Sequence, residues 1–411
     1  MYYSLPIRLG GGPVPKHRDD WKHGTDAVSR LRPLLILGTR PEAIKMAPVV
    51  RECHAQAATI EPVVCFTGQH REMLAQVADY FGLQADVDLE LMQPDQSLSS
   101  LTARCLEGID GTIKRFAPDC VVAQGDTTSV MMAAMAAFYH QLPFVHVEAG
   151  LRTGDLYSPW PEEFNRRVAG LVTAVHCAPT QAAAENLARE GVDHWRVHVT
   201  GNTVIDALLW TLHRERLRSD HWRARYPLLA AQQMVLITGH RRENFGDKFA
   251  SICRAIAELA TAFPDVDFVY PVHLNPNVQE PVQRLLGGLA NVHLVQPASY
   301  PEFVWLMDQS YLILTDSGGV QEEAPSLKKP VLVMRDTTER PEAVRAGAVE
   351  LVGASQQKIV ASVTKLLTDA AEHARRQVDT NPYGDGQAAH RIVDLLASQA
   401  WQKPLATRRA A

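Results

Sequence analysis

Three short stretches place carboxylates where acid–base chemistry is possible. They are Gln124-Gly125-Asp126-Thr127-Thr128, His146-Val147-Glu148-Ala149-Gly150 and Pro161-Glu162-Glu163-Phe164-Asn165-Arg166. Asp126 and Glu162 are explained equally well as acids at helix N-termini, where the helix dipole favours negative charge. Glu148 is harder to assign to a solvated surface, because it ends the apolar run 144–148. A partly buried carboxyl has a raised pKa and can serve as acid or base near neutrality.

A second group of residues suits phosphate. In Asp316-Ser317-Gly318-Gly319-Val320-Gln321-Glu322-Glu323 an apolar run leads into two glycines and a helical pattern. Glycine lets backbone approach a phosphate, a helix N-terminus offers free N–H groups, and Ser317 adds a hydroxyl. Glu323 lies one to two turns further on, where a carboxylate can accept from ribose hydroxyls. A plain strand–turn–helix with a glycine hinge fits this stretch as well. Gly38-Thr39-Arg40-Pro41-Glu42 is similar: Gly38 permits a tight turn and Pro41 suits the first helical position. Arg40 and Lys45, about a turn apart, are either a diphosphate-neutralising pair or a surface charge pair. His240 opens the cationic run His240-Arg241-Arg242-Glu243-Asn244, suited to phosphate or acid–base work. His273 reads as a packed loop histidine unless it meets ligand. There is no GxGxxG and no Walker lysine pattern, so neither a redox dinucleotide nor ATP is supported. The sixteen histidines show no HExxH or other close metal spacing, and no metal is expected.

These residues need strands to carry them. Apolar runs of four to seven residues recur at 34–37, 63–67, 120–123, 144–148, 175–178 and 197–200. After a long amphipathic stretch to about Arg218 the series restarts at 234–238, 266–272, 292–295, 311–315 and 331–334. Short strands alternating with helical segments indicate βαβ units. The expected fold is therefore α/β, with two doubly wound, Rossmann-like parallel-sheet domains around a central cleft. Residues 33–201 form the first domain and 202–385 the second, nucleotide-binding one. A C-terminal helix in 386–403 packs back on the first domain, and residues 1–32 form a disordered extension lacking the apolar region of a secretory signal. Ligands of open α/β sheets bind at strand C-termini, and Arg40, Asp126, Glu148, His240 and Ser317 all follow or end such runs.

The bulk composition narrows the class. The 411 residues are too many for one typical core. A net charge of −5 argues against broad nucleic-acid binding. No apolar stretch reaches the roughly 18–20 residues of a membrane span. Cys53, Cys65, Cys105, Cys120, Cys177 and Cys253 form no CxxC pair and read as buried reduced thiols of a cytoplasmic protein.

The strings GTRPEAIKMAP (38–48), TGQHREML (67–74), QGDTTS (124–129), HVEAGLRTGDLYSPWPEEFNRR (146–167), GHRRENFG (239–246), YPVHLNPNV (270–278) and LTDSGGVQEEAPSLKKPVLVMRDTTERPEAV (314–344) strongly resemble bacterial non-hydrolysing UDP-N-acetylglucosamine 2-epimerases. The nearest resemblance is to the enterobacterial type that makes UDP-ManNAc for surface polysaccharides, and it spans about residues 32–391. It implies a GT-B-like fold, a homodimer and no cofactor. It implies Asp126, Glu148 and Glu162 as catalytic carboxylates, with His240 also in the catalytic site. Arg40, Lys45, Phe303, Ser317, Gly318, Gly319, Glu323 and Arg340 are implied as contacts to UDP-GlcNAc or UDP-ManNAc, with the Phe303 ring facing the uracil. A second UDP-GlcNAc acting as activator would meet the region of Gln69, Glu72 and His273. Gln124 departs from the pattern, since relatives often carry His before Gly-Asp. The resemblance further implies elimination of UDP to 2-acetamidoglucal, followed by re-addition. A GT-B glycosyltransferase, a hydrolysing epimerase and a non-catalytic nucleotide-sugar sensor are the alternatives.

Overall fold

The computed structural model describes residues 30–68, 71–93, 96–226 and 233–402, with the side chains of residues 71–73 excepted. The expected extension at 1–32 therefore lies almost wholly outside the described residues. Thirteen described strands form two parallel sheets. The first contains β1 (Pro33–Leu37), β2 (Val63–Phe66), β3 (Val87–Asp88), β4 (Cys120–Gln124), β5 (Phe144–Val147), β6 (Thr173–Ala178) and β7 (Val197–Val199). The second contains β8 (Gln233–Thr238), β9 (Val266–Pro271), β10 (Val292–Val295), β11 (Leu312–Thr315), β12 (Val331–Val333) and β13 (Val349–Leu351).

The sheet orders are β3-β2-β1-β4-β5-β6-β7 and β10-β9-β8-β11-β12-β13. Each order reverses direction once, between β1 and β4 in the first sheet and between β8 and β11 in the second. At such a switch point the connecting helices leave to opposite faces and open a crevice at the strand C-termini. Gly38–Lys45 and Gln124–Thr128 border the first switch point, and Gly239–Asn244 and Asp316–Glu323 border the second. The doubly wound expectation is thus met in both halves.

Four buried apolar clusters cover the two faces of each sheet. In the C-terminal helix Ala388–Ala397, Ile392, Val393 and Leu396 are fully buried in the same cluster as Leu35, Leu37 and Val64 of the first sheet. Each such side chain contributes about 1.5–3 kcal/mol. Asp206 of helix Thr203–Leu217 caps the C-terminal helix, accepting from the Ala388 and Ala389 amides at 3.2 and 2.8 Å.

Two elements depart from the sequence expectations. Strands β3 and β13 are two and three residues long and show too little apolar periodicity to be read. Glu148 does not end β5 but stands one residue beyond it, with φ +63°. All six cysteines are buried and unpaired. No helix among the described residues is long and apolar enough to cross a membrane.

Candidate active site

The turn after β1 is built around a buried carboxylate. Thr39 caps helix Arg40–Ala55, with Pro41 in its first turn and Glu42 completing a capping box. Glu42 Oε2 accepts from the Gly38 and Thr39 amides, both at 2.6 Å. Its Oε1 accepts from the Thr127 hydroxyl at 2.5 Å. Glu42 therefore ties the Arg40 turn to the Asp126 turn across the first switch point. Burial pushes its pKa up to about 7, against the hydrogen bonds from Thr127, Thr39 and Gly38. Arg40, at the start of this helix, is exposed.

Lys45 lies on the same helix, one turn inward. Its Nζ sits 2.8 and 2.6 Å from Glu148 Oε1 and Oε2, and 3.9 Å from Glu322 Oε2 of the second domain. The expectation of Lys45 beside Arg40 as a second diphosphate cation thus meets a different geometry. In this structure its ammonium is engaged by protein carboxylates. Burial works against the Lys45 charge, but Glu148 and Glu322 outweigh it and raise the pKa.

Glu148 holds the centre. Gln124 Nε2 donates to its Oε2 at 2.5 Å. Burial pushes the Glu148 carboxyl above the ordinary carboxylate range, and the nearby Glu322 and Asp126 push the same way, while Lys45 pulls it back. The left-handed backbone at Glu148 turns the chain sharply off β5. Such positions are uncommon for a residue with a Cβ and cluster at functional sites.

Asp126 and Glu162 are reached through one helix, Glu162–Val172. Arg166 Nη2 lies 2.7 Å from Asp126 Oδ2, and Asn165 Nδ2 donates to the Asp126 carbonyl at 2.9 Å. His146, buried on β5, lies 2.7 Å from the Gly125 carbonyl oxygen through Nε2, which must then be the protonated nitrogen. Burial pushes the His146 pKa down to about 4, so the ring is neutral. Glu162 is half-buried and makes no hydrogen bond or ion pair among the described residues. Its neighbour Glu163 is fully buried and binds the Thr153 amide, Arg166 and Arg167. The two acids thus divide into a structural one and a free one.

The second domain presents its own turns to the same region. Ser317 begins helix Gly318–Glu323 without a side-chain capping bond. Arg340 packs on Gly318: a Cβ built there would stand 2.5 Å from Arg340 Nη1. Arg340 Nε donates to Glu322 Oε1 at 2.7 Å, and its Nη1 pairs with Glu339. Burial opposes the Arg340 charge, but Glu322 and Glu339 dominate and hold its pKa above the ordinary value. Glu323 is buried and accepts from the Tyr300 hydroxyl at 3.0 Å. Burial pushes its pKa up to about 7. Phe303 lies on the Tyr300-bearing helix, Tyr300–Gln309, partly buried against the core. His240 follows β8, and its ring stacks on His273 with centroids 5.1 Å apart. Burial lowers the His240 pKa; His273, Arg241 and Arg40 push the same way, while Asp316 opposes.

Of the sequence candidates, Lys45, Glu148 and Arg340 are joined through Glu322 into one buried network, and Asp126 adjoins it. Arg40, His240 and Ser317 remain open on the cleft side. Gln69 lies outside the described residues, as does the Glu72 side chain, so only His273 of that trio is placed. Glu322 and Glu42 were missed as site residues. Glu42 was signalled by the Thr39-x-x-Glu42 capping pattern. Glu322 had no signal of its own beside Glu323. No group of three or more His, Cys, Asp or Glu side chains able to hold a metal occurs among the described residues.

Comparison with known proteins agrees with this geometry. The family model for UDP-N-acetylglucosamine 2-epimerase matches residues 51–397. The UDP-N-acetylglucosamine 2-epimerase of Escherichia coli K12 is 54% identical over 371 residues, 89% of this chain and 98% of the relative. The crystal structure of the Neisseria meningitidis enzyme bound to UDP-GlcNAc superposes with TM-score 0.84 at 48% identity, covering 90% of this chain and all of that one (100%). The Methanocaldococcus jannaschii enzyme in complex with UDP-GlcNAc and UDP gives TM-score 0.74 at 32% identity, covering 90% of this chain and 100% of that one. A buried carboxylate network at paired switch points, with relatives matched along nearly their whole length, leads to one conclusion: this chain belongs to the UDP-N-acetylglucosamine 2-epimerase family.

Proposed function

We propose that the chain interconverts UDP-GlcNAc and UDP-ManNAc by inverting C2 through elimination and re-addition of UDP. The C2 proton has no adjacent carbonyl to acidify it, so direct abstraction would leave an unstabilised carbanion. Elimination avoids this. A carboxylate takes the C2 proton, the C–H electron pair forms the C1=C2 bond, and the C1–O pair departs with UDP. UDP then adds back at C1 while a proton is delivered to the other face of C2. No redox equivalent enters, and the balance needs only two proton-handling groups and a stabilised diphosphate.

The observation that carries this reading is Glu148, a buried carboxyl between Lys45 and Gln124 at the mouth of the first switch point. Its raised pKa suits a base that must also return a proton. Asp126 and the unpaired Glu162 are the further proton carriers, and Arg40, His240 and the Ser317 turn stabilise the departing diphosphate. Lys45 acts on Glu148 rather than on the diphosphate. Phe303 and Glu323 are assigned to the nucleoside and Arg340 to shaping the Gly318-Gly319 turn.

We also infer a homodimer. Phe138, Tyr139 and Leu171 are exposed on helices Thr128–Tyr139 and Glu162–Val172, and Leu171 is 81% exposed. Sedimentation of Leu171→Glu as a monomer would support that contact. A second UDP-GlcNAc acting as activator is assigned to the region of His273, whose stacking on His240 links it to the cleft. Rates rising sigmoidally with UDP-GlcNAc would support it. The unpaired thiols accord with a cytoplasmic setting, and the product is assigned to surface polysaccharide synthesis.

Proton NMR of UDP-GlcNAc with enzyme in D2O tests the reaction. UDP-ManNAc should accumulate with deuterium at C2. Free ManNAc, UDP release only with an acceptor, or no C2 exchange would each sink the proposal.

A further inference from the structure

Asp316, after β11, is a buried carboxylate that the reaction above does not use. It is fully buried. Its Oδ2 accepts from the His240 amide at 2.9 Å, the Arg241 amide at 2.8 Å and Asn244 Nδ2 at 3.3 Å. One oxygen thus fixes the whole His240 turn. The other, Oδ1, has no hydrogen-bond partner and lies 3.8 Å from His240 Nδ1. Buried carboxylate oxygens rarely stay without a donor, so an orphan aimed at an imidazole nitrogen calls for a reason. The His240 side chain is 44% exposed whereas Asp316 is 0%. With Nδ1 toward the buried acid, Nε2 lies on the far edge of the ring. Stacking on His273, with 8° between the planes, leaves the ring free mainly to turn within its own plane.

We propose that Asp316 is a positioning residue for His240, drawing Nδ1–H onto Oδ1 when a diphosphate occupies the cleft and so presenting Nε2 to it. This rests on the reading that His240 meets the diphosphate of a UDP-sugar. A carboxylate at one nitrogen and a diphosphate at the other both favour the protonated ring. The groups facing His240 in the free protein are Asp316, which favours its charge, and His273, Arg241 and Arg40, which oppose it. Diphosphate tips that balance, and the ring becomes a charge-assisted donor to the leaving oxygen. The proton comes from solvent on binding and stays on the ring while the C1–O bond breaks.

The test uses the whole protein with nitrogen-15-labelled histidine, at pH 7.5, with and without UDP, and H240N to assign the signals. In the UDP complex Nδ1 should carry a proton, and D316N should diminish that state. A bare Nδ1 in the wild-type complex, or an unchanged ring in D316N, overturns the proposal. The wild-type spectrum decides even if D316N folds poorly. Kinetics supply a second arm. D316N should lower kcat by about 10²-fold with a smaller change in KM, yet cost under about threefold in an H240N background. Equal losses in both backgrounds would make Asp316 a scaffold residue only. An H240N enzyme at full rate removes His240 from the reaction and overturns the reading on which the pair rests. A bare Nδ1 alongside an impaired H240N enzyme overturns the pair alone.

Discussion

Lys45 Nζ lies 2.6 Å from Glu148 Oε2 and 3.9 Å from Glu322 Oε2, so one ammonium joins carboxylates from the two domains. Glu322 continues to Arg340, which sits on Gly318 at the start of the second domain's candidate phosphate turn. The protonation state of Glu148 and the placement of that turn are therefore coupled through a few buried side chains. Anything that moves the Lys45 charge is felt on both sides of the cleft.

Glu148→Gln should lower kcat by about 10²-fold or more, since a general base contributes roughly 10²–10⁴-fold. That loss equals about 3–5 kcal/mol of barrier. The amide keeps the shape and can still accept from Lys45, so the fold should persist. Activity within a factor of about two of wild type would remove Glu148 from the chemistry. Rates measured alongside circular dichroism separate lost chemistry from lost structure.

Lys45→Met removes the cation and leaves two buried carboxyls facing each other. Breaking a buried pair from one side costs about 3–5 kcal/mol. Glu148 can escape by protonating, because its pKa, already raised by burial, loses the counterweight of the Lys45 ammonium. Stability present while Glu148 holds its proton is lost as pH rises through its raised folded pKa. The variant should therefore be more destabilised at pH 8 than at pH 5.5, as read by urea denaturation. An equal deficit at both pH values would mean that the ion pair contributes little. Adding Glu148→Gln should recover part of the deficit at pH 8.

Glu42 makes a separate pH prediction. Its ordinary pKa of 4.5 is raised to about 7 in the fold. Between those values the folded protein holds a proton that the unfolded chain has released. The unfolded state binds fewer protons there, so stability falls as pH rises. Glu42→Gln cannot titrate and should lack this component. The difference between wild type and variant should shrink by up to about 1.4 kcal/mol per pH unit across that window and level off above it. Parallel stability–pH curves would show that Glu42 titrates normally.

Much of this was legible in the sequence because chemistry and architecture coincide at strand ends. Apolar runs alternating with amphipathic stretches marked eleven of the thirteen strands, whereas β3 has only two residues and Glu350 interrupts the apolar pattern of β13. Asp126, His240 and Ser317 were visible as polar residues soon after such runs, and Glu148 as the end of one. What stayed hidden was pairing at a distance. Lys45 and Glu148 are 103 residues apart, and nothing local said that one would neutralise the other. Glu322 and Glu323 are adjacent and alike in type, yet successive helical residues face about 100° apart. One therefore meets Lys45 and Arg340 while the other meets Tyr300. Glu148 read as the last strand residue because its left-handed backbone has no signature in residue type.

Gly318 and Gly319 look interchangeable in sequence but should respond differently to alanine. A Cβ at Gly318 would come within 2.5–2.7 Å of Arg340 Nη1 and Cζ, and Arg340 is held by Glu322 and Glu339. Gly318→Ala should therefore displace the guanidinium, lowering the melting temperature and raising KM together. A Cβ at Gly319 meets nothing closer than Glu323 Oε2 at 3.7 Å, an ordinary contact. Within the helix that change should hold or raise stability, by up to about 1 kcal/mol. If the Gly319 backbone approaches a phosphate, the same methyl must still obstruct the ligand, and KM for UDP-GlcNAc should rise about tenfold, equivalent to about 1.4 kcal/mol. Thermal melts and steady-state kinetics on both variants separate the two effects. A Gly319→Ala enzyme with unchanged KM would move the phosphate away from this turn, leaving Gly318 as a packing residue for Arg340 and nothing more.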